Sequence, residues 1–297
     1  MFLLDVIILA IVQGLAELLP VSSSAHVVVV EKLLGLDPSS PQMTLLLVML
    51  HTGTMFAVIA YFWKSWKQTY FASRHYLHAF VTRSVSATFL TGVLGYLVIK
   101  LVERTMFRGL PQAQIEDLFG RLDLVAIALF AAGIMIVAAG FKEAKTAASK
   151  AGNAAEGIAD MSFRQAGLIG AIQGLCLPFR GFSRSGATIS SGLLVGVSRE
   201  HAERFSFALA VILTPPVIVR EVLRLLKFSD NARLTGAAFD VHASIGSALL
   251  GMVFSFFAGL LALRWLSRWL EAGKWYRFGI YCIVASGAVF YLHHLGY

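Results

Sequence analysis

Two short stretches of this chain hold residues able to grip an anion and move a proton. Residues 13–26 read QGLAELLPVSSSAH. Gln13 and Glu17 are four apart and therefore share one helix face. Pro20 ends that arm, because a proline forces its predecessor out of helical geometry. Ser22, Ser23 and Ser24 then open a second arm, with His26 on its first turn. Residues 181–188 read GFSRSGAT. Here Ser183 is placed to cap the following helix, Ser185 follows on it, and Arg184 and Thr188 are neighbours one turn apart. The fork of donors on Arg184 suits a phosphate. Helix starts add free N–H groups and the positive end of the helix dipole, which together make an anion site. Gly181 and Gly186 leave room for close approach of the backbone.

The elements that must position these groups are set by an apolar composition. Of 297 residues, 57% are hydrophobic and 14% charged, and the mean hydropathy is +0.73. A soluble domain carries roughly a quarter charged residues, so this is the composition of an integral membrane protein. A net charge of +8 would point to nucleic acid in a soluble chain. Here the basic residues fall in short loops between apolar runs, which matches membrane loops and lipid headgroups, and no nucleic acid is expected. Cys176 and Cys282 lie in apolar stretches without ligand spacing, which argues against a disulfide framework or a zinc site. The first residues, MFLLDVIILAIV, lack a positive n-region and read as part of the fold.

A span of about 20 apolar residues crosses a bilayer as a helix. Six stretches qualify, roughly Thr44–Trp63, Ser86–Val102, Leu122–Phe141, Phe205–Leu225, Ala243–Trp265 and Phe278–His293. Pro215 and Pro216 predict a kink or break in the fourth. Residues 2–35 and 163–197 instead have apolar arms on either side of a polar centre, too short to cross twice. They read as two re-entrant helical hairpins, with irregular backbone at depth tolerated because it is buried or lines a wet cavity. The hairpins match one another: Gln13-Gly14-Leu15 with Pro20, Ser22 and Ser24, against Gln173-Gly174-Leu175 with Pro178, Ser183 and Ser185. Three spans follow each hairpin, so the second enters from the opposite face. The expectation is one all-α membrane domain over residues 1–297, an inverted-topology repeat of about 1–141 and about 160–297 with its site near the midplane. Fourteen Lys and Arg fall on one face and nine on the other, the other two of the 25 being Arg180 and Arg184. That bias puts the first face in the cytoplasm and opens the first hairpin outward.

The first stretch resembles the signature of the undecaprenyl-diphosphate phosphatase (bacitracin-resistance) family, Glu/Gln-x-x-x-Glu followed by Leu-Pro-Val-Ser-Ser-x-x-His. GFSRSGATISSGLLVGVSREHAERFSFALA is similar to its second signature, and Asp160 to Gln165 fits the approach to the second hairpin, with Ser162 and Gln165 as a capping box. The resemblance spans nearly the whole chain. It implies a bacterial inner-membrane, multi-pass phosphatase with its site open to the periplasm, and a homodimer left open. The reaction implied converts a C55 polyprenyl diphosphate to the monophosphate carrier that peptidoglycan synthesis reuses, which confers bacitracin resistance. By motif position, Glu17, Ser23, His26 and Arg184 are the catalytic candidates. Gln13, Ser22, Ser183, Ser185, Thr188 and Arg180 are the substrate-binding ones. The chain departs from the family in three places. Gln13 stands where a second Glu is common, Pro178-Phe179-Arg180-Gly181 replaces Trp-Pro-Gly and adds a cation, and Tyr281-Cys282 replaces Tyr-Arg.

Diphosphate hydrolysis needs charge neutralised on the transferring phosphoryl group, an in-line nucleophile and a proton for the leaving group. Arg184 with Ser183 and Thr188 would hold the phosphates. A divalent cation, Mg or Ca, would sit between Glu17 and the diphosphate. Ser23 with His26 moving its proton, His26 as the nucleophile, and direct attack by water all remain open. His51, in the first span, is a further imidazole that could approach. The rival from another class is a flippase for polyprenyl phosphate, since broken helices in inverted repeats are common in transporters.

Overall fold

A computed structural model describes residues 3–37, 40–106, 115–149, 161–234, 241–270 and 275–297. Among these residues the chain is helical without strands. In order the helices are α1 (Leu3–Glu17), α2 (Ser23–Leu33), α3 (Pro41–Thr69), α4 (Arg74–Met106), α5 (Leu122–Ser149), α6 (Phe163–Cys176), α7 (Arg184–Leu194), α8 (Arg199–Leu234), α9 (Val241–Leu270) and α10 (Tyr276–His294), with a 3-10 turn at Ile115–Leu118. Asp160, at the expected start of the second half, lies outside the described residues. Two short helices followed by three longer ones occur twice along the chain.

Five of the helices are long and apolar enough to cross a membrane: Gln42–Thr69, Arg74–Met106, Leu122–Lys145, Arg199–Arg224 and Ser244–Arg264. Large apolar side chains such as Phe89, Ile127 and Leu261 stand outward on them, a surface made for lipid. The chain is an all-α, multi-pass membrane protein. The sixth expected span is α10, which is helical for 19 residues but is not among these five. At Pro215 and Pro216 the expected break is absent, and α8 runs through both prolines as one helix. The prolines still withdraw two N–H donors, next to Leu213, Thr214 and Val217, which face the cavity described below.

Each predicted hairpin is present, and its punctuation is visible in the sequence. Helix α1 stops at Glu17, three residues before Pro20, and α2 starts behind Ser22, whose hydroxyl accepts from the Ala25 N–H. Ser22 has φ 66°, a left-handed conformation that costs a non-glycine residue of the order of 1 kcal/mol and marks a place the fold over-determines. Helix α6 begins with the predicted capping box of Ser162 and Gln165, and α7 is capped by Ser183 through the Gly186 N–H.

The first arm of each hairpin packs on the fourth helix of the other half, α1 on α9 and α6 on α4. The glycine of each Gln-Gly-Leu triplet makes this possible. A Cβ on Gly14 would meet Ala258 Cβ at 2.5 Å, and one on Gly174 would meet the Thr91 carbonyl at 2.6 Å. Neither backbone could approach so closely with a side chain in between. Helices α5 and α10 pair with each other, as do α3 and α8, so the corresponding elements of the two halves meet face to face.

Candidate active site

The two hairpin tips touch. The Gly181 N–H donates to Ser24 Oγ at 3.2 Å. Gly181 itself has φ 99°, and a Cβ there would stand 2.4 Å from the Val125 carbonyl of α5. Only glycine fits that turn, and it lets the second tip close over the first.

Glu17 is the meeting point. It ends α1, and its side chain is about 10% exposed. One oxygen, Oε1, accepts from the Arg184 guanidinium at 2.5 Å across 167 positions of sequence. The other, Oε2, accepts from Gln13 Nε2 at 2.9 Å and from the Ser23 hydroxyl. His51 Nε2 stands 3.3 Å from the same oxygen. A carboxylate from one broken helix and a guanidinium from the other form an ion pair between the two hairpins. Such a group inside a membrane protein marks function by default.

A cavity of about 330 Å³ opens over this cluster. Glu17, Ser22, Ser23, Ser183, Arg184 and Ser185 line its polar end, while Ile99, Phe119, Phe179 and Val217 line an apolar wall. Arg180 belongs to that wall. Its guanidinium lies 4.2 Å over the Phe119 ring and 3.8 Å from the buried carboxylate of Glu31. Polar groups converging at one end of an apolar cleft suit a ligand with an anionic head and a greasy tail.

Most of the predicted residues are brought together here, and three are not. Gln13 is fully buried and reaches the cavity only through Glu17. Thr188 is packed between α7 and α8, donating to the Arg184 carbonyl at 2.8 Å and bonded to Ser206 Oγ at 2.5 Å. Its hydroxyl has no line to the cavity, because one turn along α7 the helix already faces α8. His26 faces α10. Its Nδ1 is 2.8 Å from the Ser22 carbonyl and its Nε2 is 2.6 Å from the Tyr281 hydroxyl, with the two rings stacked. The imidazole at the cavity is His51. Ser24, part of the first motif, joins the tips, and Arg220 on α8 is a further lining residue that the motifs do not single out. Only the helical phase of α8 relative to the hairpins could have revealed Arg220.

Among the described residues no group of three or more His, Cys, Asp or Glu gathers as a metal nest. Glu17 is the acidic residue of the cavity lining. A single carboxylate beside hydroxyls fits a hard cation that is shared with a phosphate-bearing ligand, not one caged by protein alone.

Fold and site together define a polytopic membrane protein in which a carboxylate from one hairpin and a guanidinium from the other meet at a cavity. The chain belongs to the family described as bacitracin resistance protein BacA, which matches residues 6–288. It is 56% identical to Undecaprenyl-diphosphatase 2 of Acinetobacter baylyi over 97% of both chains. It is also 33% identical to Undecaprenyl-diphosphatase 2 of Burkholderia orbicola, over 94% of this chain and 93% of that one, and of Burkholderia lata to the same extent.

Proposed function

We propose that this chain is a membrane phosphatase that hydrolyses undecaprenyl diphosphate to undecaprenyl phosphate and inorganic phosphate, the step that recycles the lipid carrier for cell-wall synthesis and underlies bacitracin resistance. The observation that carries the reading is the Glu17 carboxylate, shared between the Ser23 hydroxyl of one hairpin and Arg184 of the other. A headgroup carrier needs the cation but not a hydroxyl already bonded to a base, so hydrolysis is favoured over flipping.

Ser23 is the nucleophile in this reading. Its proton passes to Glu17 Oε2, its Oγ bonds to the terminal phosphorus, and the anhydride P–O bond breaks toward the polyprenyl phosphate. Water then frees the phosphate from the serine. Arg184 leaves Glu17 Oε1 for the phosphoryl oxygens, with Ser183, Ser185 and the start of α7 beside it. Arg180 contacts the second phosphate, and Ser22 frames the first tip. The apolar wall takes the head of the polyprenyl chain. Mg or Ca would share Glu17 with the diphosphate and supply further charge neutralisation when bound. His26 contributes through Ser22, whose carbonyl it holds. The positive-inside bias supports a site open to the periplasmic face of the inner membrane.

Phosphate release from undecaprenyl diphosphate by the purified chain in detergent tests this. Arg184→Ala should lower kcat/KM about 10³-fold, in line with the loss of a transition-state charge clamp. Lipid movement without phosphate release would assign the fold to a flippase instead.

A further inference from the structure

The imidazole beside Glu17 belongs to the middle of a membrane span, outside both signatures. His51 lies on α3, and its ring is fixed at both ends. Nδ1 is 2.7 Å from the Leu47 carbonyl. A carbonyl only accepts, so Nδ1 carries a hydrogen and the ring is tied to its own helix. Nε2 is turned to Glu17 Oε2, 3.3 Å away; this partner too can only accept, so in the contact Nε2 also carries a hydrogen and the ring is an imidazolium that donates to the carboxylate. The backbone behind this contact has little freedom. A Cβ on Gly53, two residues along α3, would lie 2.2 Å from the Met252 carbonyl of α9, and α9 is also the helix on which Gly14 of α1 rests. One helix therefore backs both α3 and α1, and it sets the gap between His51 and Glu17.

We propose that His51 is a positioning residue, one that holds the Glu17 carboxylate against the Ser23 hydroxyl while the substrate takes Arg184 away. This role rests on the phosphatase reading and follows from which contacts survive binding. Arg184 fixes Oε1 in the ligand-free site, but its guanidinium is the group that a phosphate competes for. Once Arg184 turns to the diphosphate, Glu17 is left with contacts at Oε2 alone. Gln13 approaches that oxygen from α1 itself and Ser23 is the group to be activated. His51 is the contact that comes from a separate, rigidly backed helix. The charged and titratable groups around it at the cavity are Glu17, Arg184, Arg180, Arg220 and Cys176, and none but Glu17 offers it an acceptor side chain. A base that drifts by about 1 Å loses on the order of 10²-fold in rate, so the holding contact belongs to kcat, not to substrate affinity.

The test uses the full-length chain in detergent with undecaprenyl diphosphate, following phosphate release with kcat and KM separated. His51→Leu should lower kcat about 30- to 100-fold with KM changed less than about threefold. His51→Gln, whose amide N–H can reach the same oxygen, should recover to within about fivefold of the parent. His51→Asn, one methylene shorter, should not. The Gln–Asn pair keeps the test sharp if the Leu variant fails to fold. An unchanged kcat in His51→Leu, a change confined to KM, or equal activity of the Gln and Asn variants would each overturn the assignment. A parent chain that releases no phosphate would instead overturn the phosphatase reading on which it rests.

Discussion

The two hairpin tips share one plan and divide the chemistry between them. Each starts from a Gln-Gly-Leu triplet pressed on a helix of the other half, and each second arm is capped by a serine, Ser22 or Ser183. The residue after each cap, Ser23 in the first tip and Arg184 in the second, reaches the same carboxylate. Four positions after the glutamines the plans part, with Glu17 in the first hairpin and Leu177 in the second. Packing is therefore common to both tips, while acid, hydroxyl and cation are not. A site assembled this way needs only three differing side chains on a repeated scaffold.

The largest break in that comparison comes from the paired residues after the caps. Ser23→Ala should reduce kcat at least about 10³-fold, since the nucleophile itself is gone. KM should hold, because Arg184 and α7 still bind the diphosphate. Quench of the parent during turnover in denaturant near neutral pH, where phosphoserine and phosphohistidine both survive, should leave phosphate on Ser23. Substantial activity in Ser23→Ala, or phosphate found on an imidazole, would hand the attack to water or to a histidine.

The two glutamines give a smaller and cleaner contrast. Gln13 donates to Glu17, whereas Gln173 donates to Thr91 Oγ1 at 3.3 Å, deep between α6 and α4. Gln13→Leu should lower kcat about tenfold by loosening the carboxylate. Gln173→Leu should keep turnover per folded molecule within about twofold while costing about 1 kcal/mol of stability for a lost internal hydrogen bond. Thermal unfolding in detergent beside the rate assay checks both. Equal effects on turnover would mean that the hairpins work as one mechanical unit and that position 13 has no link of its own to Glu17.

How much of this could be read from the sequence depends on whether a neighbour lies near in the chain or only in space. The hairpins were legible because Pro20, the serine run and the Pro178 to Gly186 stretch interrupt apolar runs, and caps are local events. Glu17, Ser23 and Arg184 were legible because polar groups at depth are costly and few. The face that a residue turns was not. Thr188 follows Arg184 by one turn, yet α8 packs on that side and takes its hydroxyl. His51 stands out as an imidazole able to approach the site, but alone in an apolar span its place beside Glu17 depends on where α9 presses α3 and α1. For α8, two prolines predicted a kink or break, but the helix continues through them without a break.

His26 supplies the smallest expected effect and the sharpest check on which imidazole serves the site. It is bonded on one side to the carbonyl of Ser22, the residue with φ 66°, and on the other to the Tyr281 hydroxyl. It can therefore affect chemistry by propping the strained cap that aims Ser23. Losing one such prop should cost no more than the strain it opposes, about 1 kcal/mol, or up to about fivefold in kcat for His26→Gln. Tyr281→Phe should cost no more than about threefold, and the double variant should be no worse than His26→Gln alone, because both act through one hydrogen-bonded chain. A His26→Gln rate as low as that of Ser23→Ala would put this imidazole in direct contact with the reacting phosphate. That would require α2 to turn by a large part of a helical turn on substrate binding, away from α10 and toward the second tip.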